Sequence, residues 1–178
     1  MLEQMTQRLQ SQRTFEAAVE TVLNDVVALH GAEYGDFQLV NRDRLVIVAQ
    51  RGLSAAFLQT FKSVPRDAGC ACGRAWRLKR TVVVADVDRD RDYAPFRTDA
   101  RAAGYRAVQS TPLMTRGKVM GMISTLFANP HEPTPIELEI LGRYARVAAD
   151  YLVTLLGDED LGSKAETMNR ALCADMVN

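Results

Sequence analysis

The spacing of apolar residues along this chain changes twice, from a helical period to a period of two and back to a helical period. Near the start, apolar side chains recur three and four positions apart, at Phe15, Val19, Val22, Val26 and Leu29, which predicts that the first thirty residues form a helix. The middle of the chain has the alternation of strands, and the last third returns to the helical spacing. This order favours an α+β fold, with a sheet covered by helices from both ends of the chain.

The clearest helix in the sequence begins near residue 134. Thr134 supplies an N-cap, Pro135 stands at the first helical position and Glu137 closes a capping box. The apolar stripe that follows runs through Leu138, Leu141, Ala145, Ala148, Leu152 and Leu155. Gly157 can end the helix. The small alanines in mid-stripe would let another helix approach closely, so two arrangements stay open: a helix that lies only on its own sheet, and one that also pairs with a second copy.

Five segments between the two helical regions are rich in Val, Ile, Phe and Thr, and turn-forming residues bound most of them. They are DFQLV, RLVIVAQ, TVVVADV, RAVQSTPLM and KVMGMISTLF. The short turns NRDR and TRGK join the first two and the last two segments, which predicts two antiparallel hairpins.

The stretch between the hairpins, about residues 53–104, has a different character. SAAFLQTFKSV and GRAWRLK predict two short helices, and DRDRDYAPFRTDARAAG predicts a salt-bridged loop that leads into another helix. We therefore predict an α+β fold with a central antiparallel sheet of five or six strands. The terminal helices cover one face, and the helical and loop insertion forms a pocket on the other face.

Composition excludes several classes of function. The 178 residues include 22 basic and 22 acidic side chains, so no net field draws the chain onto nucleic acid or an acidic membrane. No run of about 18 apolar residues is present, and the N-terminus MLEQMTQRLQSQR lacks the apolar core of a signal peptide. Three cysteines, an odd number, agree with a reducing compartment. We expect a cytoplasmic protein that binds neither nucleic acid nor a membrane.

Several separate segments carry a resemblance to a known family. Residues 106–152, RAVQSTPLMTRGKVMGMISTLFANPHEPTPIELEILGRYARVAADYL, resemble the closing half of a GAF domain, and RLVIVAQRGLSAAFLQTF and CGRAWRLKRTVVVADV resemble its opening half in the same order. The resemblance spans about residues 15–156 and is closest to GAF domains that accompany bacterial sensor histidine kinases. It implies a ligand pocket on one face of the sheet, dimerising helices on the other, and a histidine kinase or another signalling protein as partner. It implies no cofactor.

Three regions follow from this interpretation: an N-terminal helical extension over residues 1–14, a sensory domain over 15–157 and a tail over 158–178. The tail is predicted to contain a short amphipathic helix with a capping box of Ser163 and Glu166. Its apolar stripe is Leu161, Ala165, Met168, Leu172 and Met176. Because a helix this short is marginal alone, we expect it to pack on the domain, on a partner chain or on a target protein.

Two cysteines stand one residue apart in the segment DAGCACGRAWR. A zinc site needs about four ligands, and the other candidates, His30, His131 and Cys173, each lie in a different segment. A metal site is therefore not expected. We interpret Cys70 and Cys72 as small side chains at the mouth of the pocket, with redox sensing as an alternative.

A thiol enzyme is a further alternative for the same segment. Arg74, Arg77 and a helix N-terminus near Gly73 could lower the pKa of Cys72. Free methionine sulfoxide reductases are GAF-like enzymes with several cysteines. However, the strand and loop after VVVADV contain no cysteine here, where that family carries catalytic ones. The sequence therefore predicts no catalytic residues.

Other side chains are candidates for contact with a ligand. Tyr93 and Phe96 lie in the charged loop and could form a lid, with loop anchoring as the alternative. Gln109 and Thr111 share one strand face and could form a pocket wall, with an edge or solvent face as the alternative. The remaining candidates are Phe37, Trp76 and Ser124. Trp76 is also a candidate core residue.

The function that the sequence favours is non-enzymatic sensing of a small molecule, with the pocket coupled to a homodimer of the terminal helices. Two other classes stay open. One is a cysteine-based redox sensor or thiol reductase, and the other is an interaction module whose cavity is filled by its own side chains.

Overall fold

A computed structural model of the protein describes residues 1–175. It has an α+β fold in which six antiparallel strands form one sheet in the order β3-β2-β1-β6-β5-β4. The strands are β1 (Tyr34–Asn41), β2 (Arg44–Arg51), β3 (Ser63–Pro65), β4 (Val82–Val84), β5 (Ala107–Thr115) and β6 (Lys118–Phe127). The helices are α1 (Leu2–Gln10), α2 (Phe15–His30), α3 (Ala55–Phe61), α4 (Ala71–Leu78), α5 (Arg97–Ala103), α6 (Pro135–Leu156) and α7 (Leu161–Asp175), and a 3-10 turn spans Ala94–Phe96. The predicted fold class is confirmed.

Both predicted hairpins are present. Asn41 faces Arg44 across the first turn, and Thr115 faces Lys118 across the second. The second turn has positive φ angles at both central residues, 48° at Arg116 and 75° at Gly117, which suits the right-handed twist of the strands it joins. The sixth strand, β3, is only three residues long and pairs with the start of β2 at the sheet edge.

The helical face of the sheet is covered by α2 and α6, whose predicted apolar stripes are largely buried against it. The capping box of α6 forms as predicted: the Thr134 hydroxyl accepts from the Glu137 N–H, and the Glu137 carboxylate accepts from the Thr134 N–H. Gly157 ends this helix with a φ angle of 60°. Local sequence signals therefore determine the length of α6.

The first thirty residues form two helices rather than one. Ser11 and Gln12 bond through their side chains to the Arg8 carbonyl, and the Thr14 hydroxyl accepts from the Ala17 N–H to start α2. The chain therefore turns after α1, and α1 packs across α2 and α6 with Met5 and Leu9 buried.

This packing corrects the expected dimer seam. Ala145 and Ala148 are buried within the chain, at 3% and 0% exposure, so the small residues of α6 serve close packing inside one protomer. In addition, α1 covers part of the apolar surface of α2 and α6. These two alanines therefore leave almost no surface for contact with a second copy.

The predicted tail helix, α7, packs on the domain and crosses β1 and β2. Ala165 and Met168 are buried, and the Asn169 amide donates to the Ile47 carbonyl over 2.6 Å. The predicted capping box is wrong: the Asp160 carboxylate accepts from the N–H and hydroxyl of Ser163. The predicted stripe residue at position 176 lies outside the described residues. None of the helices described between residues 1 and 175 is long and apolar enough to cross a bilayer.

Candidate functional site

The second face of the sheet is covered by α3, α4, α5 and the loop after β4, and they enclose a cavity of about 20 Å³. Its polar lining comprises Asp36, Gln38, Cys70, Cys72, Ser110 and Ser124. Its apolar lining comprises Phe57, Phe61, Ala71, Val108 and Leu126, and Tyr93 closes it from the loop. A cavity of this volume holds about one water molecule, so side chains of the protein fill most of the space.

Three neighbouring strands place a row of polar side chains on the cavity floor. Asp36 on β1 faces Ser124 on β6, which faces Ser110 on β5. The two serine hydroxyls are 2.8 Å apart and hydrogen-bonded. Gln38 lies two residues after Asp36 and therefore points to the same face. The floor of the cavity is thus polar although the sheet around it is apolar.

Asp36 is the most perturbed group of the floor. Its side chain is buried to 3% exposure, and its Oδ1 atom has no hydrogen-bond partner among the described residues. Burial first, and the proximity of Cys70 second, raise its pKa to about 8, because a carboxylate loses solvation in this environment. Gln38 Oε1 is equally buried and has no partner there either. Two acceptor atoms thus remain unsatisfied beside the cavity.

The two cysteines lie on the wall where α4 begins. Cys70 is the N-cap of this helix and its Sγ is 3.4 Å from Cys72 Sγ. A side chain at position 73 would collide with the Ala68 carbonyl, at 2.4 Å, so Gly73 allows the preceding loop to fold tightly against α4. This close approach holds both sulfur atoms at the cavity.

The pKa values of the two thiols are shifted in opposite directions. The hydrogen bond from the Cys72 thiol, together with the Gly73 N–H, lowers the pKa of Cys70. The same bond to Cys70, together with burial, raises the pKa of Cys72. The expected activation of Cys72 is therefore wrong, since Cys70 occupies the helix start. The side chain of Arg77 is not involved, because it donates to the Arg66 and Ala68 carbonyls.

Aromatic side chains of the charged loop cover the cavity. The hydroxyls of Tyr93 and Tyr105 are 2.9 Å apart and both side chains are buried. Burial is the main cause that raises the pKa of both phenols. Phe96 packs on Tyr93 and on Phe61, with ring centroids 5.6 and 6.0 Å apart. The loop therefore forms a lid.

Ion pairs hold this lid. Arg74 Nη1 donates to both carboxylate oxygens of Asp90, over 3.1 and 2.9 Å, and Asp90 also accepts from the Tyr93 N–H. Both partners of the Arg74–Asp90 pair are only 19% exposed. Arg106 binds Asp86 at the start of the lid, over 2.9 Å. The predicted salt-bridged loop is present, and its Arg74–Asp90 pair links the lid directly to α4.

The sequence-predicted candidates divide into two groups. Cys70, Cys72, Tyr93 and Ser124 meet at the cavity. Trp76 belongs to the core beside it, under the Arg66 guanidinium. Phe96 supports the lid behind Tyr93, as described above.

Phe37, Gln109 and Thr111 lie on the other face of the sheet and do not line the cavity. Phe37 is part of the core under α2 and α6. Gln109 bonds to His30 over 3.2 Å, and the Thr111 hydroxyl contacts Thr81 over 2.9 Å. The expected pocket wall is corrected because strand residues alternate between faces: Ser110 faces the cavity, so its neighbours face the helices.

Sequence reasoning missed Asp36, Gln38 and Ser110. The alternation of polar and apolar residues in DFQLV was a usable signal, because it places Asp36 and Gln38 together opposite Phe37. No such signal was available for Ser110, because the turn at TRGK alone would place it opposite Ile123. A register shift between Leu113 and Met114 brings it opposite Ser124 instead. Within residues 1–175, no cluster of three or more His, Cys, Asp or Glu side chains could hold a metal ion.

Comparisons with known proteins agree with this fold. The sequence matches the family model of the GAF domain over residues 12–153. No curated protein matches it significantly.

Many solved structures share the fold. The GAF domain of a phosphoenolpyruvate-protein phosphotransferase from Coxiella burnetii is 18% identical, with a TM-score of 0.72 over 86% of this chain and 90% of that chain. Free methionine-R-sulfoxide reductase from Neisseria meningitidis, in complex with its substrate, is 23% identical, with a TM-score of 0.69 over 86% and 87%. A domain of a two-component sensor histidine kinase protein from Sinorhizobium meliloti 1021 is 20% identical, with a TM-score of 0.61 over 92% and 98%. At these identities the likeness concerns the fold.

Proposed function

Since the chain belongs to the GAF domain family, whose members are signalling and sensory domains, we propose that it is a non-enzymatic regulatory domain that senses a small molecule. The sensing site is the cavity between the sheet and the lid. The observation that carries this proposal is the pair of buried acceptor atoms, Asp36 Oδ1 and Gln38 Oε1, which have no partner among the described residues. Buried polar atoms without partners are rare in folded proteins and call for an explanation, and a polar ligand supplies one.

Ligand entry requires movement of the lid. The closed cavity has a volume of about 20 Å³, which is far below the size of a metabolite site. The Arg74–Asp90 pair and the Tyr93–Tyr105 contact hold the lid closed. A ligand that displaces Tyr93 would therefore loosen the link between the lid and α4. The position of the lid would then differ between the ligand-bound and the ligand-free protein.

The strands offer a direct route from the cavity to the helices. Asp36 faces the cavity, while the residue before it, Gly35, lies against α2 on the other face. A Cβ atom at Gly35 would lie 2.6 Å from Val27 Cγ2, so α2 and β1 are packed without free space. A shift of β1 must therefore move α2.

We propose that the helical face forms a homodimer and contacts a histidine kinase or another signalling partner. The α2 helix that contacts β1 belongs to this face, which supports coupling between the cavity and the partner surface. The same proposal places the protein in the cytoplasm and gives it no cofactor.

A library of metabolites tests the sensing function by thermal unfolding, together with native mass spectrometry of protein purified from its source. A ligand at a hundred times its Kd adds about 2.7 kcal/mol to the unfolding free energy. We expect Arg74→Ala to change the affinity of any compound found, because it releases the lid. Arg143→Ala is the control, since this exposed side chain lies on α6 and pairs with Glu139 of the same helix. If no compound stabilises the protein and none is retained, the sensing function is wrong.

The 3.4 Å distance between Cys70 Sγ and Cys72 Sγ favours a second candidate, a thiol redox switch. Hydrogen peroxide would oxidise the lower-pKa thiol to a sulfenic acid and release one water. Attack by the second thiol would then form the disulfide and release another water, so peroxide takes up two electrons. Contact between the two sulfur atoms is the geometric requirement for the second step.

Intact mass after peroxide treatment tests the switch in a Cys173→Ser background. A loss of two hydrogens that Cys70→Ser prevents would support it, and peroxide-resistant thiols would exclude it. We further expect no turnover of free methionine sulfoxide with a thiol reductant. A cysteine-dependent rate would move the protein into the class of the reductase whose fold it shares.

A further inference from the structure

We infer that the cavity, given the sensing function proposed above, recognises a primary ammonium group, the cationic end of a small amine. Three features of the lining support this: its unpartnered atoms are acceptors, its charge balance excludes anions, and aromatic rings surround the polar floor.

The unpartnered atoms determine which hydrogen-bonding groups a ligand must bring. Asp36 and Gln38 are exposed by only 3% and 2%. Their free atoms, Oδ1 and Oε1, lie on one face of β1 and lack a donor among the described residues. The amide oxygen of Gln38 and the ionised carboxylate of Asp36, the form that binds the ligand, accept hydrogen bonds and cannot donate them. The ligand group that satisfies both must therefore carry at least two N–H or O–H donors.

The charge of the lining determines the sign of the ligand. The described lining residues include one carboxyl group, Asp36, and no Lys, Arg or His. Arg74 of α4, the helix that follows Cys70, is already paired with Asp90. A phosphate or carboxylate ligand would therefore bury its own charge without a cation among the described lining residues, which is costly whether or not Asp36 is protonated. A cationic donor makes a paired charge instead.

The aromatic side chains favour a cation over a neutral donor. Phe57, Phe61 and Tyr93 line the cavity, and the rings of Phe57 and Phe61 are 4.7 Å apart. The negative faces of aromatic rings attract ammonium groups, most strongly where water is excluded. The carboxylate on the cavity floor and the aromatic rings of the lining together form a site that suits an ammonium group.

The size of the cavity agrees with one ammonium group. A volume of about 20 Å³ accommodates one water-sized group, and an ammonium group is of similar size. The remainder of an amine would extend under Tyr93 and require the lid to open. The cavity therefore selects the cationic end, and the lid limits what can be attached to it.

Ligand binding is coupled to a proton at Asp36. Its pKa of about 8 means that the free site is mostly protonated at pH 7, whereas the bound ammonium group needs the carboxylate. Affinity should therefore rise about tenfold between pH 7 and pH 9, with release of a proton at pH 7. The other titratable groups that face the cavity are Cys70 and Cys72 of α4 and Tyr93 of the lid. Repeating the titration with Cys70→Ser and Cys72→Ser combined removes the contribution of the thiols.

The experiment compares chloride salts of methylammonium, tetramethylammonium and potassium at equal ionic strength, read by thermal unfolding and calorimetry at pH 7 and pH 9. Because a probe with two heavy atoms binds at best in the millimolar range, the titration extends to about 100 mM. We expect methylammonium alone to stabilise the protein, since tetramethylammonium has the charge but no N–H donor.

Substitutions test whether the stabilisation by methylammonium depends on the polar residues of the cavity floor. Asp36→Asn keeps the shape of the side chain and should abolish the methylammonium shift. If that variant does not fold, Gln38→Met removes the second acceptor at similar volume and should weaken binding about tenfold. Thr60→Ala on the exposed side of α3 is the control and should bind like the parent.

The outcomes separate this inference from the sensing function. Equal stabilisation by tetramethylammonium, or no response to methylammonium at either pH, overturns the ammonium site. If an anionic metabolite from the library binds instead, the ammonium site is wrong and the sensing function stands. If neither the salts nor the library produce binding, both are wrong.

Discussion

At the scale of single residues, the site is dominated by a carboxyl group in an unfavourable position. Asp36 is buried among apolar side chains, the other polar groups of the described lining are hydroxyl, thiol and amide groups, and none of these lining residues is a cation that would offset its charge. Proteins keep such groups neutral by raising their pKa, and perturbed pKa values are concentrated at functional sites. The residue is therefore a cost to stability that a ligand can relieve.

Asp36→Asn should change how stability depends on pH. In the parent, the folded-state pKa of about 8 lies above the unfolded value of about 4, so the folded state holds a proton that the unfolded state lacks. The unfolding free energy should then fall by about 1.4 kcal/mol per pH unit between these values, and level off above pH 8. Urea denaturation from pH 5 to pH 9 measures this slope. We expect Asp36→Asn to lack it, and parallel curves for both proteins would contradict the raised pKa.

At the scale of secondary-structure elements, a buried carboxylate connects three helices. Asp25 of α2 accepts from Arg8 of α1 over 2.6 Å and from the Tyr144 hydroxyl of α6 over 2.6 Å. Tyr151 of α6 also donates to the carbonyls of Gln10 and Gln12, which flank the turn after α1. These bonds fix α1 across the helical pair. The helical face therefore behaves as one unit rather than as a domain with a loose extension.

Tyr144→Phe tests this connection. The variant leaves the buried Asp25 carboxylate with one partner fewer, and we expect a loss of about 1–3 kcal/mol in unfolding free energy. Cleavage by trypsin after Arg13 should become faster, because α1 is held less firmly. Tyr34→Phe is the matched control, since the Tyr34 hydroxyl has no hydrogen-bond partner within residues 1–175. Equal effects of the two substitutions would show that the Asp25 contact does not hold α1.

At the scale of the whole molecule, the dimer proposed above needs a surface other than Ala145 and Ala148. The outer side of α6 carries an apolar stripe at Ile136, Ile140 and Val147, which share one face by helical spacing. Ile136 is 70% exposed, and the other two are half-buried. This stripe is only partly covered within the protomer.

Val147→Glu should therefore dissociate the dimer, because it places a charge in an apolar contact. Light scattering at high micromolar concentration measures the mass, and circular dichroism checks that the fold is retained. Thr60→Glu on α3, on the opposite face of the sheet, should leave the mass unchanged. Ala148→Glu is expected to unfold the protein, since that side chain is fully buried. A parent protein that is monomeric under these conditions would contradict the dimer.

The sequence by itself determined the elements and their order. Capping residues such as Thr134, turn residues such as Gly117 and the apolar periods act between neighbours in the chain, so they predict α6, the hairpins and the α+β class without knowledge of distant contacts. The family resemblance follows from the same local segments. The cysteine pair and Tyr93 were also placed near the pocket, because they lie in the segment that folds over the sheet.

Only the tertiary structure decided which side chains face the cavity. A strand has two faces, and a shift of one residue exchanges them, so the polar character of Gln109 and Thr111 could not show that they face α2 and α6. The turn after α1, the burial of Ala148 and the isolation of Asp36 likewise depend on contacts between segments far apart in sequence. The chemistry of the site arises from desolvation, and desolvation exists only when those segments are packed together.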